Sequence, residues 1–237
     1  MSVPRSFRIS AALLLTVAAI GCGAGSGVAT YGDAPDPSAL SADSTAELEA
    51  IYRARIDSAR HRFTDADVDF MTGMIAHHAQ ALVMAALAPT HGAGQAVRTL
   101  AARIANAQQD EIETMQQWLR DRGQPVPEIH IEGTTLTVHG AGDHATHMPG
   151  MLTPEQMNEL DEARGREFER LFLTYMIQHH AGAVAMVEHL FDVDGAAQDE
   201  ASFRLASDIQ VDQITEIARM ERMLDELPNA ASGSATE

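Results

Sequence analysis

The sequence predicts an all-α protein, a four-helix bundle made of two repeated helical hairpins with an extra helix ahead of them. Three observations predict it: an internal duplication, an apolar seam of helical period in each copy, and the lack of sustained strand patterning across the body. The run Phe70-Met71-Thr72-Gly73-Met74-Ile75-Ala76-His77-His78-Ala79-Gln80-Ala81-Leu82-Val83-Met84 recurs as Phe172-Leu173-Thr174-Tyr175-Met176-Ile177-Gln178-His179-His180-Ala181-Gly182-Ala183-Val184-Ala185-Met186, at a constant offset of 102. A second match follows each copy. Ile104, Gln108, Glu111, Ile112, Met115 and Leu119 align with Ile209, Gln213, Glu216, Ile217, Met220 and Leu224, now at an offset of 105. The three-residue change between the two matches is a difference in loop length, so each repeat reads as helix, loop, helix.

Residues 1–21 form an export signal, with Arg5 and Arg8 ahead of an apolar run from Ile9 to Ile20 that is too short for a comfortable membrane span. The chain's one cysteine, Cys22, follows small residues directly after that run, which resembles a bacterial lipobox and predicts lipidation of Cys22. A plain secretory signal cut nearby is the alternative. Residues 22–45 are Gly- and Pro-punctuated without periodicity and read as a flexible tether. The domain proper is expected over 46–228, beginning with a helix near Ala46 to Phe63 and followed by repeats at about 64–122 and 153–227. Thr64 ahead of Asp65 and Asp67 supplies a cap and an acidic first turn, and positions 70, 74, 77, 81 and 84 then advance by four and three. Thr153-Pro154-Glu155 opens a short helix before the second seam at 172, 176, 179, 183 and 186. Residues 123–152, rich in Gly and Pro and carrying His130, His139, His144, His147, Met148 and Met151, read as a loop. Residues 229–237 read as a disordered tail.

Composition narrows the chemistry. The chain of 237 residues carries 34 acidic side chains against 16 basic ones, all arginine, for a formal charge of -18. Loss of residues 1–21 removes two arginines and no acid, leaving 14 basic against 34 acidic side chains, or -20. Such a surface repels phosphate backbones and anionic lipid, which argues against nucleic acid and leaves cations as the natural partners. One cysteine excludes a disulfide framework, a thiolate zinc site and an iron–sulfur cluster built from this chain alone. What stands out is 12 Met and 11 His.

On a helix, His77 lies three residues and His78 four residues after Met74, so imidazole and thioether occupy adjacent turns. Successive residues diverge by about 100°, so the pair cannot point the same way. The seam turns His77 and His179 inward and leaves His78 and His180 toward a neighbouring helix. Met115 and Met220 stand on the partner helices. Imidazole with thioether and no thiolate favours Cu(I) over zinc, and seams poor in carboxylate argue against Mg and Ca. The Met-Pro-Gly-Met segment Met148 to Met151, with His144 and His147 upstream, resembles a flexible copper-capturing strap. A Met stripe alone is more often packing, and a lone core histidine is usually structural. Two His-His pairs placed identically against Met are harder to explain as packing, because burial of four imidazoles must be offset by something. His61, His91 and His189 are singletons read as structural, and Glu111 and Glu216 as exposed or cap-side charges.

The motif Met-Ile-x-His-His-x-x-Ala at Met74 to Ala81 and Met176 to Ala183, with Met-Pro-Gly-Met before the second copy and Glu-Ile-x-x-Met in each second helix, resembles the bacterial "domain of unknown function 305" family over about Thr64 to Leu227. That resemblance implies a ferritin-like four-helix fold in exported proteins, some of which bind copper or silver. It implies as ligand candidates Met74, His77, His78, Met84, Met176, His179, His180 and Met186, with Met115, Met148, Met151 and Met220 behind them. The expected function is sequestration or transfer of Cu(I), with silver as an alternative ion, without turnover. A lipid anchor, a copper-transfer protein or a second copy of the chain are the expected partners. Two other functions compete. A ferritin-like di-metal oxidoreductase is disfavoured because no Glu-x-x-His occurs in the chain. A metal-free interaction module would use the histidines only to hydrogen-bond between helices.

Overall fold

The computed structural model describes residues 42–60, 62–140 and 148–227. Residues 1–41, which include Cys22 and cover the segment expected to be an export signal and most of the expected tether, lie outside the described residues, as do His61, His144, His147 and residues 228–237. The body that carries the site begins at Leu48.

The protein is mostly helical. Helix α1 (Ala42–Arg60) is largely exposed and is followed by α2 (Asp65–Leu87) and α3 (Gln95–Asp121). The stretch that composition marks as a loop contains an antiparallel hairpin, β1 (Glu128–Glu132) and β2 (Thr135–His139), before α4 (Pro154–Glu162), α5 (Gly165–Asp192) and α6 (Glu200–Glu226). The all-loop reading of 123–152 is therefore corrected: Ile129 pairs with Val138 and Ile131 with Leu136, two short β-branched runs on either side of Gly133, whose φ of 60° lets the chain reverse.

Helix α2 packs on α3, α5 packs on α6, and the two hairpins meet where α2 contacts α5. Burial explains that order. Fifteen of the 23 residues of α2 are buried, against nine of 27 in α3, so α2 is apolar nearly all round and needs neighbours on several sides, whereas α3 and α6 bury one face. By length and hydropathy α2 could cross a membrane, but 78% of its apolar window is already covered by protein, which makes it a core helix.

The ends of the long helices are tied by buried polar groups. Thr64 and Asp67 form a reciprocal capping box at α2, and Asp67 Oδ1 also accepts from the Ala197 amide at 2.8 Å and the Ser202 hydroxyl at 2.7 Å, which joins the start of α2 to the start of α6. Asp199 caps α6, pairs with Arg122 at 3.0 Å and accepts from the Trp118 indole at 3.3 Å. Thr153 and Gln156 cap α4 in the same reciprocal way, with Pro154 at its first turn.

The methionines fall in two clusters, each drawing on both sequence copies. One holds Met74 and Met115 with Met186 against it; the other holds Met84, Met176 and Met220. Each set is therefore the counterpart of the other, with the 84 and 186 positions exchanged, because α2 and α5 place the start of one motif beside the end of the other. Along both helices the His-His pair comes between the two clusters.

Candidate metal-binding centre

All four motif histidines are fully buried. His77 and His179 face one another across the α2–α5 contact with ring centroids 3.8 Å apart, as the seam predicts. His179 Nε2 donates to the backbone carbonyl of His77 at 3.0 Å, and His77 Nε2 donates to the carbonyl of Pro149 at 3.0 Å. His78 and His180 point elsewhere, toward α3 and α6. His180 Nε2 donates to Glu216 Oε2 at 2.8 Å, and Glu111 Oε2 approaches His78 Nε2 to 2.7 Å, off the N–H direction.

A common pattern emerges: Nε2 of His77, His179 and His180 donates to an oxygen, and Nδ1 of all four rings has no hydrogen-bond partner. An oxygen acceptor at one ring nitrogen fixes the proton there and leaves the other as a lone pair. His91 provides the contrast. It is also buried, yet its Nε2 contacts the Asp161 carbonyl at 2.9 Å and carboxylate at 3.1 Å, and its Nδ1 pairs with the Thr90 hydroxyl at 2.9 Å. His91 is thus a satisfied structural histidine, as expected of a singleton.

Burial sets the charge state of three of the motif rings. It is the main force holding the His77 imidazole down at about 3, helped by the charge of neighbouring His78 and opposed by the hydrogen bond to Pro149. Burial likewise drives His179 well below its ordinary value, with His77, His180 and His78 adding to the shift. His180 is lowered by burial against the opposing pull of Glu216. At neutral pH these rings are uncharged, the form that ligates metal.

The Met-Pro-Gly-Met strap lies directly on this layer. Gln80 on α2 grips its end with two hydrogen bonds to Leu152, from Nε2 to the carbonyl at 3.0 Å and from the amide to Oε1 at 2.7 Å. The equivalent position on α5 is Gly182. A methyl there would overlap the Pro149 carbonyl and come within 2.7 Å of the Gly150 Cα. Gly150 itself adopts φ 76°, and a side chain on it would meet the Gln178 carbonyl at 2.6 Å. One motif copy thus carries a hand for the strap and the other a gap for it.

The strap also sorts its methionines. Met148 comes to Gly73 beside Met186, and these residues, with His189 and Asp69, line a cavity of about 330 Å³. Met151 lies elsewhere, in a cavity with Ala76, Gln80 and residues of β2. Of the sequence-predicted set, Met74, Met84, Met115, Met176 and Met220 are wholly buried, with His77 and His179 in the layer between their clusters. His78 and His180 are parted from that layer by direction. Glu111 and Glu216 are not exposed or cap-side charges: their side chains are only 14% and 19% exposed, because each packs against a buried imidazole. The signal for them was their recurrence, with Gln108 and Gln213, at matched positions of the two copies.

The family model for "domain of unknown function (DUF305)" matches residues 67–224, and the chain belongs to that family. Among solved structures, a DUF305 fragment from Deinococcus radiodurans is 35% identical, with a TM-score of 0.57 over 70% of this chain and 99% of that one. A DUF305 protein of Streptomyces coelicolor, assigned as secreted, is 28% identical, with a TM-score of 0.57 over 68% of this chain and 91% of that one. CopM in its Cu(II)-bound form is 26% identical, with a TM-score of 0.51 over 67% of this chain and 95% of that one. No curated protein matches the chain.

Proposed function

We propose that this protein is an exported copper-binding protein that holds or hands on Cu(I), with silver as a competing ion, and that it does so without turnover. In this reading the two hairpins are the duplicated halves of a ferritin-like four-helix bundle, and Cys22 anchors the bundle to a membrane by a lipid. The observation that carries the proposal is the set of four buried imidazoles whose Nδ1 atoms have no partner, in a fold where His91 has both nitrogens satisfied. Burial of so many bare acceptors costs stability unless a ligand meets them, and CopM, a relative of the same fold, binds copper.

The donor set fits a soft, low-charge ion. His77 and His179 share their helix faces with Met74 and Met176, while Met115 and Met220 approach from α3 and α6 in the same clusters. Thioether and neutral imidazole suit Cu(I), and thioether survives in an oxidising compartment where a thiolate is lost. Met148 and Met186 at the open cavity form the outermost thioether pair and would meet an incoming ion first. The acidic surface adds a long-range attraction for cations.

The test is a competitive Cu(I) titration of the protein against Met74→Leu/Met115→Leu/Met176→Leu/Met220→Leu. Leucine conserves volume and keeps the core filled. Thioether ligation predicts an affinity at least about tenfold lower in the variant. Equal affinity sinks the proposal.

A further inference from the structure

Eight large apolar side chains stand exposed among the described residues, and seven of them fall on two helix faces. Leu48, Ile51 and Tyr52 share one face of α1, at the spacing of residues that neighbour one another on a helix. Phe203, Val211 and Ile214 line the outer face of α6, and Phe191 at the end of α5 stands against Phe203 with ring centroids 5.5 Å apart. Apart from Phe191, each of these side chains is 50–66% exposed. Single exposed apolar residues are ordinary on a protein surface; two rows of them at helical spacing mark surfaces that meet something. Helix α1 has a particular need of a partner. All its described side chains from Thr45 onward are exposed, and a 19-residue helix that packs its apolar face on nothing is marginal in water.

Charge sorts the two faces into a complementary pair. Residues 51–62 carry four arginines against one acid, in a chain where acids outnumber arginines 34 to 16. Residues 188–208, which hold Phe191 and Phe203, carry six acids against one arginine. Of those acids Glu188, Asp192, Asp194, Glu200 and Asp208 are exposed. The same charges choose a direction. Both helices rise about 1.5 Å per residue, so an antiparallel docking that sets Tyr52 on Val211 also sets Leu48 beside Ile214 and Arg55 opposite Asp208. A parallel docking of the same rows moves the arginines away from the acidic end.

We propose that the face formed by α6 and the end of α5 is the docking site for α1 of a second copy of this chain, exchanged reciprocally about a twofold axis. Each copy gives one helix and receives one, so the contact is made twice. Doubling is what brings so short a helix toward the roughly 1,200 Å² of buried surface that a specific interface needs. In a single copy both rows stay open to water. The net negative charge of two copies opposes their approach, yet physiological salt screens it beyond about 8 Å, and the opposite charges in contact then decide.

The test uses the exported protein carrying Cys22→Ser, which removes its one thiol. Light scattering after size exclusion should give twice the mass of one chain. Leu48→Ser/Ile51→Ser/Tyr52→Ser and, separately, Phe203→Ser/Val211→Ser/Ile214→Ser should each raise the dimer dissociation constant at least about tenfold. Mixing these two variants restores one intact contact and should return a heterodimer where neither variant pairs alone. Cysteine pairing carries the test if a triple variant unfolds. Protein with Tyr52→Cys, mixed under oxidation with protein carrying Val211→Cys, should give a disulfide-linked dimer that neither gives by itself. A monomeric parent, or no linked dimer in the mixture, overturns the proposal. A disulfide closed within one chain of Tyr52→Cys/Val211→Cys overturns it too, by placing α1 on its own α6 face.

Discussion

Two adjacent histidines on one helix do different work because they are separated by about 100° of rotation. The seam count places His77 and His179 inward and His78 and His180 toward the neighbouring helices, and the structure agrees. The carboxylates that meet the second pair were not legible as such, because an acidic residue on an amphipathic helix ordinarily faces water. Only their matched recurrence distinguished them. The buried rings carry a pH signature in the metal-free protein. With native values below the unfolded value near 6.5, the unfolded chain binds more protons under that pH, so stability is complete above about 6.5 and falls as pH drops toward the native value of about 3 for His77. Each such ring contributes up to about 1.4 kcal/mol per pH unit in that window. Urea denaturation at pH 7, 6, 5 and 4 should show a steep decline, and a flat profile would mean the rings are not buried neutral. A second residue-scale prediction concerns Arg122, 5% exposed beside Asp199 at 3%. Arg122→Ala leaves a buried carboxylate without its cation and should lower unfolding free energy by about 3–5 kcal/mol by chemical denaturation.

At the scale of elements, α2, α4 and α5 were readable from caps and seams. Thr64 and Thr153 each announced a helix start that the structure realises as a reciprocal capping box. The hairpin was hidden by its composition: two five-residue runs among Gly, Pro and His look like loop unless Gly133-Thr134 is recognised as a two-residue connection between alternating segments. The strap was visible as a motif, but not its seat, since a sequence match between Gln80 and Gly182 looks like drift. The structure shows that one chain segment lies on both helices: Gln80 of α2 holds its end through Leu152, while the missing side chain at Gly182 of α5 leaves room for the Pro149–Gly150 backbone. Gly182→Ala tests this. In an unobstructed helix the change adds about 1 kcal/mol of stability. Here the methyl meets strap backbone, so the strap must lift and the Pro149 carbonyl must leave His77 Nε2. The variant should show faster proteolysis near Met148 to Met151, weaker Cu(I) binding and an intact helical circular dichroism spectrum. Unchanged cleavage would show that the strap does not depend on that gap.

For the whole molecule, the sequence repeat is realised as two helix pairs whose methionine clusters are each built from both copies, so any ion at either cluster bridges the hairpins. Binding to the native state alone must then stabilise the fold as a unit, by about 2.7 kcal/mol when free ligand is a hundredfold above its dissociation constant. For a body of this size that gain corresponds to a melting temperature higher by about 5–10 °C. Differential scanning calorimetry with Ag(I), which mimics Cu(I) without its air oxidation, should show one transition moving upward as a whole. In Met74→Leu/Met115→Leu/Met176→Leu/Met220→Leu the starting temperature should stay close to that of the parent, because the core remains filled, while the silver-dependent rise should largely disappear. A rise of equal size in both proteins would place the ion away from the thioethers, since a shared core with altered sulfur content cannot hold a soft cation equally well through dispersion alone.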